Sequence, residues 1–199
     1  MDAYDTISSQ FQDTIGIISM SVDALAPQLT AASALMAQAL LNDRKIMACG
    51  NGPDTAVAHL FAGHLLSSYE TERPALPAIA LGSDSTGASA ITTINGVNDV
   101  FSRPLRALGD SGDVLLCITS TDGPANLLRA VQAAHERNMT IVLLSNAGER
   151  ELENLLDNED IVIQIPSDHT GRVLEMHTMI IHCLCTLIEH TLFGHYTQD

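Results

Sequence analysis

Two short stretches carry the residue types that hold an anion. The first reads Cys49-Gly50-Asn51-Gly52-Pro53-Asp54-Thr55 and the second Thr119-Ser120-Thr121-Asp122-Gly123-Pro124. Each follows an apolar run and precedes a helical pattern, so each puts a turn at a helix N-terminus. Free backbone N–H groups and the positive end of the helix dipole suit a phosphate there. Asn51 and Gly52 in the first loop, and the hydroxyls of Thr119, Ser120 and Thr121 in the second, are the candidate ligand-binding residues. The same loops also oppose a phosphate. Pro53 and Pro124 each remove an N–H donor, while Asp54 and Asp122 bring carboxylates. At ~4 Å and an effective dielectric of about 20, one such repulsion costs on the order of 4 kcal/mol. Proline and acids are favoured at helix starts. The balance favours capped helices in which Asp54 and Asp122 satisfy the donors, leaving phosphate binding weak or absent.

The elements that must position these loops follow from hydrophobic periodicity. Residues 4–25 and 27–41 read as two helices, with apolar residues at steps of three and four and a break at Pro27. Continuous apolar runs at 45–49, 77–81, 113–118, 140–145 and 161–165 read as strands buried on both faces, hence parallel. Helices are expected over 53–69, 101–108, 124–138 and 171–193, with a short acidic one at 149–156. Segment 82–97, rich in Ser, Thr and Gly, resists assignment. Strand–helix alternation predicts an α/β fold, a three-layer sandwich with a five-stranded parallel sheet and two N-terminal helices. Such sheets bind ligands outside the carboxyl ends of their strands, at the switch point. One domain is expected over 1–199: a helical part at 1–43 used in oligomerisation, and an α/β core at 44–199.

Composition narrows the partners. Twenty-four acids against nine basic residues give −15 at pH 7. Nucleic acid and anionic membrane need Lys and Arg to replace counterions, so neither is an expected direct partner. The first ten residues hold no basic segment, and no apolar run reaches spanning length, which points to the cytoplasm. Four scattered cysteines read as small buried hydrophobes rather than a disulfide framework.

Ile46-Met47-Ala48-Cys49-Gly50-Asn51-Gly52, Glu70-Thr71-Glu72-Arg73-Pro74, Gly112-Asp113-Val114-Leu115-Leu116 and Glu175-Met176-His177 together resemble the sugar-isomerase (SIS) domain family over nearly the whole chain. The resemblance is to the phosphoheptose isomerases and to their sister branch, which associates with the replication initiator DnaA. It implies a flavodoxin-like sandwich, a homotetramer and a sugar-phosphate pocket. In the isomerases a His and a Glu four residues apart, a Gln and a later His hold zinc, and the Glu and last His move the proton. The matching positions here are Leu60, His64, Leu174 and His182, and a further pocket Asp matches Ile94.

Zinc wants three or four ligands and leucine supplies none, so no metal or other cofactor is expected. His59 cannot stand in for position 60, because five residues turn a helix by about 140°. His64 and His182 are the catalytic candidates if the chain is an isomerase, since imidazoles exchange protons near pH 7. These departures favour a non-catalytic member acting on DnaA in replication initiation, with the apolar pair Leu192 and Phe193 as the partner contact. The alternatives are sedoheptulose 7-phosphate isomerase and a sugar-phosphate sensor.

Overall fold

A computed structural model describes residues 2–194. The elements run α1 (Ala3–Leu41), β1 (Ile46–Gly50), α2 (Pro53–Leu66), β2 (Ala78–Ala80), α3 (Ser85–Asn95), α4 (Ser102–Leu108), β3 (Val114–Ile118), α5 (Ala125–Glu136), β4 (Thr140–Ser145), β5 (Ile161–Gln164) and α6 (Thr170–Phe193). The five strands form one parallel sheet ordered β2-β1-β3-β4-β5. This is the flavodoxin-like order, with its switch point between β1 and β3.

Alternate strand residues feed two cores. Ile46, Ala48, Leu116, Val142 and Leu144 pack beneath α1, α2 and α6. Met47, Leu115, Cys117, Ile141 and Leu143 pack beneath α4 and α5 on the other face. Both faces of β1 and β3 are buried, which is why their sequences read as unbroken apolar runs.

The two expected N-terminal helices are one. α1 runs 39 residues with Pro27 inside it. An interior proline costs about 3 kcal/mol. Burial of Leu25, Ala32, Met36, Ala39 and Leu40 against the sheet side holds both halves in line and outweighs that cost. The acidic helix expected at 149–156 shrinks to a single 3₁₀ turn, Glu153–Leu155. Segment 82–97 holds α3, started by Asp84 accepting from the Thr86 N–H at 3.1 Å.

Cys183 is exposed, whereas Cys49, Cys117 and Cys185 are buried as expected. α1 and α6 are both long and apolar enough to cross a membrane, which the run-length argument missed because their apolar residues are interleaved with polar ones. Val173, Met176, Ile180, Ile181, Leu184 and Ile188 of α6 are core residues instead.

Candidate functional site

The β1 and β3 loops sit side by side, since Gly50 pairs with Ile118 across the switch point. Gly52 takes φ 51°, a left-handed value that favours glycine, and α2 starts there. A Cβ on Gly50 would lie 2.8 Å from the Asp54 side chain. The glycines of the first loop therefore permit a tight turn folded back on α2. Within that turn the Asp54 N–H donates to the Asn51 carbonyl at 3.0 Å and the Thr55 N–H to Gly52 at 3.1 Å. Pro53 has no N–H to give.

The second loop is joined to the first. Asn51 and Asn126 exchange reciprocal amide hydrogen bonds at 2.8 and 2.7 Å. Asp54 is 3% exposed, and its Oδ2 accepts from both the Ser120 N–H at 2.8 Å and the Ser120 hydroxyl at 2.9 Å. Thr119 donates its hydroxyl to the Thr121 carbonyl. Of the three expected hydroxyl donors, two are thus spent inside the protein, and only Thr121 is exposed.

The expectation that Asp54 and Asp122 cap their own helices needs correction. Neither α2 nor α5 has a side-chain cap. Asp54 lies inside the first turn of α2 and reaches across to the neighbouring loop. Asp122 is exposed, with its Oδ1 lying over Gly148.

At the other end of α2 stands a second cluster. The rings of His64 and His182 are 5.5 Å apart. Tyr69 lies edge-on to His64 at 4.8 Å and stacked on His182 at 5.3 Å. The Nε2 of His64 is buried and has no hydrogen-bond partner. Burial, followed by the neighbouring His182, pushes the His64 pKa below its ordinary 6.5, against a smaller opposing pull from Glu189. Imidazole at position 64 is therefore neutral at pH 7. Burial also raises the Tyr69 phenol.

The scaffold of this cluster is a buried ion pair that sequence reasoning missed. Arg73 Nε donates to Glu189 at 2.8 Å, and the two side chains are 2% and 4% exposed. Its other nitrogens donate to the carbonyls of His64, Leu65, Ser67 and Pro74 at 2.8–3.2 Å. Arg73 thereby satisfies carbonyls left open at the end of α2. Glu189 also accepts from the Tyr69 and Glu70 N–H groups at 2.9 and 3.3 Å. Burial pulls the Glu189 carboxyl up, but these hydrogen bonds and Arg73 outweigh it and leave the pKa below 4.5. The sequence held one cue, a charged residue on an otherwise apolar helix face, at Glu189.

Leu60 is 39% exposed, Leu174 packs on the core, and Ile94 is 78% exposed on α3. With carbon side chains at 60 and 174, the donors here are two imidazoles, fewer than a zinc site uses. These residues do not fit a zinc ion. Leu192 and Phe193 are half-buried against the first core rather than projecting from the helix end.

The order of strands, the paired loops at one end of α2 and the imidazole pair at the other define a flavodoxin-like α/β sandwich. The SIS domain family matches residues 10–146, and the chain belongs to it. Within the family it falls in the phosphoheptose isomerase branch. It is 44% identical over 194 residues to a phosphoheptose isomerase of Halorhodospira halophila, covering 98% of both chains. A solved phosphoheptose isomerase from Francisella tularensis superposes with a TM-score of 0.93 at 35% identity, covering 96% of this chain and 100% of the other. One from Neisseria gonorrhoeae gives 0.89 at 34% identity, covering 94% and 99%. These full-length similarities overturn the expected non-catalytic role in replication initiation. That expectation weighed a few substituted positions above identity spread along the whole chain.

Proposed function

We propose that this protein is an aldose–ketose isomerase acting on a phosphorylated seven-carbon sugar, with sedoheptulose 7-phosphate as the ketose. The reaction moves one proton between neighbouring carbons by way of an enediolate. The observation that carries the chemistry is the imidazole pair, His64 and His182, 5.5 Å apart. His64 is kept neutral by burial and has an unengaged Nε2, so it serves as the base that takes the carbon-bound proton. His182, held flat against Tyr69, serves as the acid partner.

Gly52 and Thr121, both exposed, are proposed to meet the phosphate end of the substrate, while Asn51, Thr119 and Ser120 are engaged within the protein. Self-association, a homotetramer by the family resemblance, is proposed through α1. Tyr4, Ile7, Phe11, Ile15 and Val22 lie exposed there at helical spacing. The same reading puts the protein in the cytoplasm.

A coupled assay with sedoheptulose 7-phosphate, run with and without added zinc, tests the function. Turnover that disappears in His64→Ala is the expected result. Saturable binding without turnover marks a sensor and overturns the isomerase. Light scattering of the purified chain tests the oligomer, and a monomer would remove the α1 proposal.

A further inference from the structure

Three metal-ligating side chains meet at an edge of the sheet that the isomerase reading does not use. His135 stands in the last turn of α5, and Asp157 and Asp160 close the turn that leads into β5. His135 Nε2 lies 2.8 Å from Asp160 Oδ2 and 3.7 Å from Asp157 Oδ2. All three ligand atoms fall within 4.8 Å of one another. The cluster sits at the N-terminal ends of β4 and β5, whereas the paired loops follow the C-terminal ends of β1 and β3. Its helix, α5, packs on the opposite face of the sheet from α2 and α6, which carry the imidazole pair.

The spacing suits one ion. A zinc ion at ~2.1 Å from each ligand puts tetrahedral ligands about 3.4 Å apart, and the observed 2.8 and 3.7 Å lie on either side of that value. Asp160 is held in place, with its side chain 2% exposed. Its Oδ1 accepts from the Ile141 N–H at 2.7 Å and its Oδ2 from the Asp157 N–H at 2.8 Å. Asp157 is the opposite case: its side chain is 76% exposed and its carboxylate accepts no hydrogen bond. It is free to turn onto an ion, and water can complete the coordination from the same side.

Charge points the same way. Among the described residues neither carboxylate has a Lys or Arg partner, and His135 is the one group paired with them. Two carboxylates and a neutral imidazole carry −2, which a divalent cation balances. The imidazole selects among such cations, because nitrogen ligands suit zinc and its neighbours while magnesium and calcium take oxygen.

We propose that His135, Asp157 and Asp160 bind a divalent first-row transition ion of the zinc type, which ties the end of α5 to the β4–β5 edge. Its role is structural. The site is independent of the isomerase reading, since it shares no residue with the imidazole pair or the loops.

The test is titration of the chelator-treated full chain with zinc chloride, read by calorimetry and by melting temperature, with magnesium chloride as the control. The natural chain should bind zinc saturably and melt higher, and magnesium should do much less. Asp157→Ala and His135→Gln should each weaken zinc at least about tenfold, since even groups one step removed from a metal are worth that much. His64→Ala should leave the zinc affinity unchanged. Failure of the natural chain to bind zinc overturns the proposal, as does an equal response to magnesium. Binding that Asp157→Ala and His135→Gln leave intact marks adventitious zinc on exposed acids and also overturns it. So does binding lost in His64→Ala and kept in Asp157→Ala, which places the ion at the imidazole pair. Should His135→Gln fail to fold, Asp157→Ala decides alone, because that side chain is exposed and unbonded. Turnover reports separately: an Asp157→Ala chain that loses zinc and keeps the natural turnover supports the site, and its loss of turnover with zinc retained overturns it.

Discussion

The two ends of α2 are finished in opposite ways. At its N-terminal end the chain's own groups consume the donors: Asp54 takes Ser120, Asn51 takes Asn126, and the Thr55 hydroxyl takes the Gly50 carbonyl at 2.7 Å. At its C-terminal end the helix carbonyls are satisfied by Arg73, and Arg73 by Glu189. The imidazoles are left out of that network, so His64 keeps an unengaged nitrogen. One end is closed by the residues a ligand would need. The other is held by residues that leave the two imidazoles outside the hydrogen-bond network.

The largest effect should come from the free end. His182→Ala or His64→Ala should lower turnover by about 10²–10⁴-fold with little change in melting, since a positioned acid or base contributes that much. A variant that keeps full turnover would show that the imidazoles are structural and erase the contrast. Arg73→Met should cost about 3–5 kcal/mol, because it leaves Glu189 buried without its partner. Chemical denaturation measures it. The double change Arg73→Met with Glu189→Leu should recover much of the loss; failure to recover would mean that capping of α2, not the ion pair, supplies the stability.

At the closed end, Asn51→Ala leaves the buried Asn126 amide unpaired and should cost about 1–3 kcal/mol by the same measurement. A loss as large as that of Arg73→Met would say that both ends are held equally firmly.

The smallest effect is in pH. The Glu189 pKa is lowered in the fold, so its contribution is complete above the unfolded value and is lost as pH falls through the folded one. The His64 pKa is lowered too. The folded state then binds fewer protons than the unfolded state below pH 6.5, and stability declines as pH drops from there toward the folded value. Melting curves from pH 7 downward should show a first loss below 6.5 that His64→Ala removes and a second below 4.5 that Glu189→Gln removes. For turnover, the acid limb should lie below 6.5.

Much of the fold was legible because strands buried on both faces have no polar positions to spare. The runs at 46–50, 114–118 and 140–145 could be nothing but central parallel strands. The loops were legible as well, since a turn between such a strand and a helix needs Gly50 and Gly52. The continuity of α1 was not, because local propensity ends a helix at Pro27 and only packing of Leu25, Met36 and Leu40 on the sheet carries it through.

The chain by itself determined the family and the switch-point loops, and offered His64 and His182 as candidates only if the chain is an isomerase. Those properties live in residue type and short-range periodicity. The tertiary structure decided that the Asp54 carboxylate belongs to Ser120 and not to its own helix, that Asn51 answers Asn126, and that Arg73 and Glu189 hold the imidazole end. Each of these contacts joins residues between 66 and 116 positions apart. No local pattern encodes such a pairing, and burial decides it because an unpaired polar group in the interior costs more than any local preference can return.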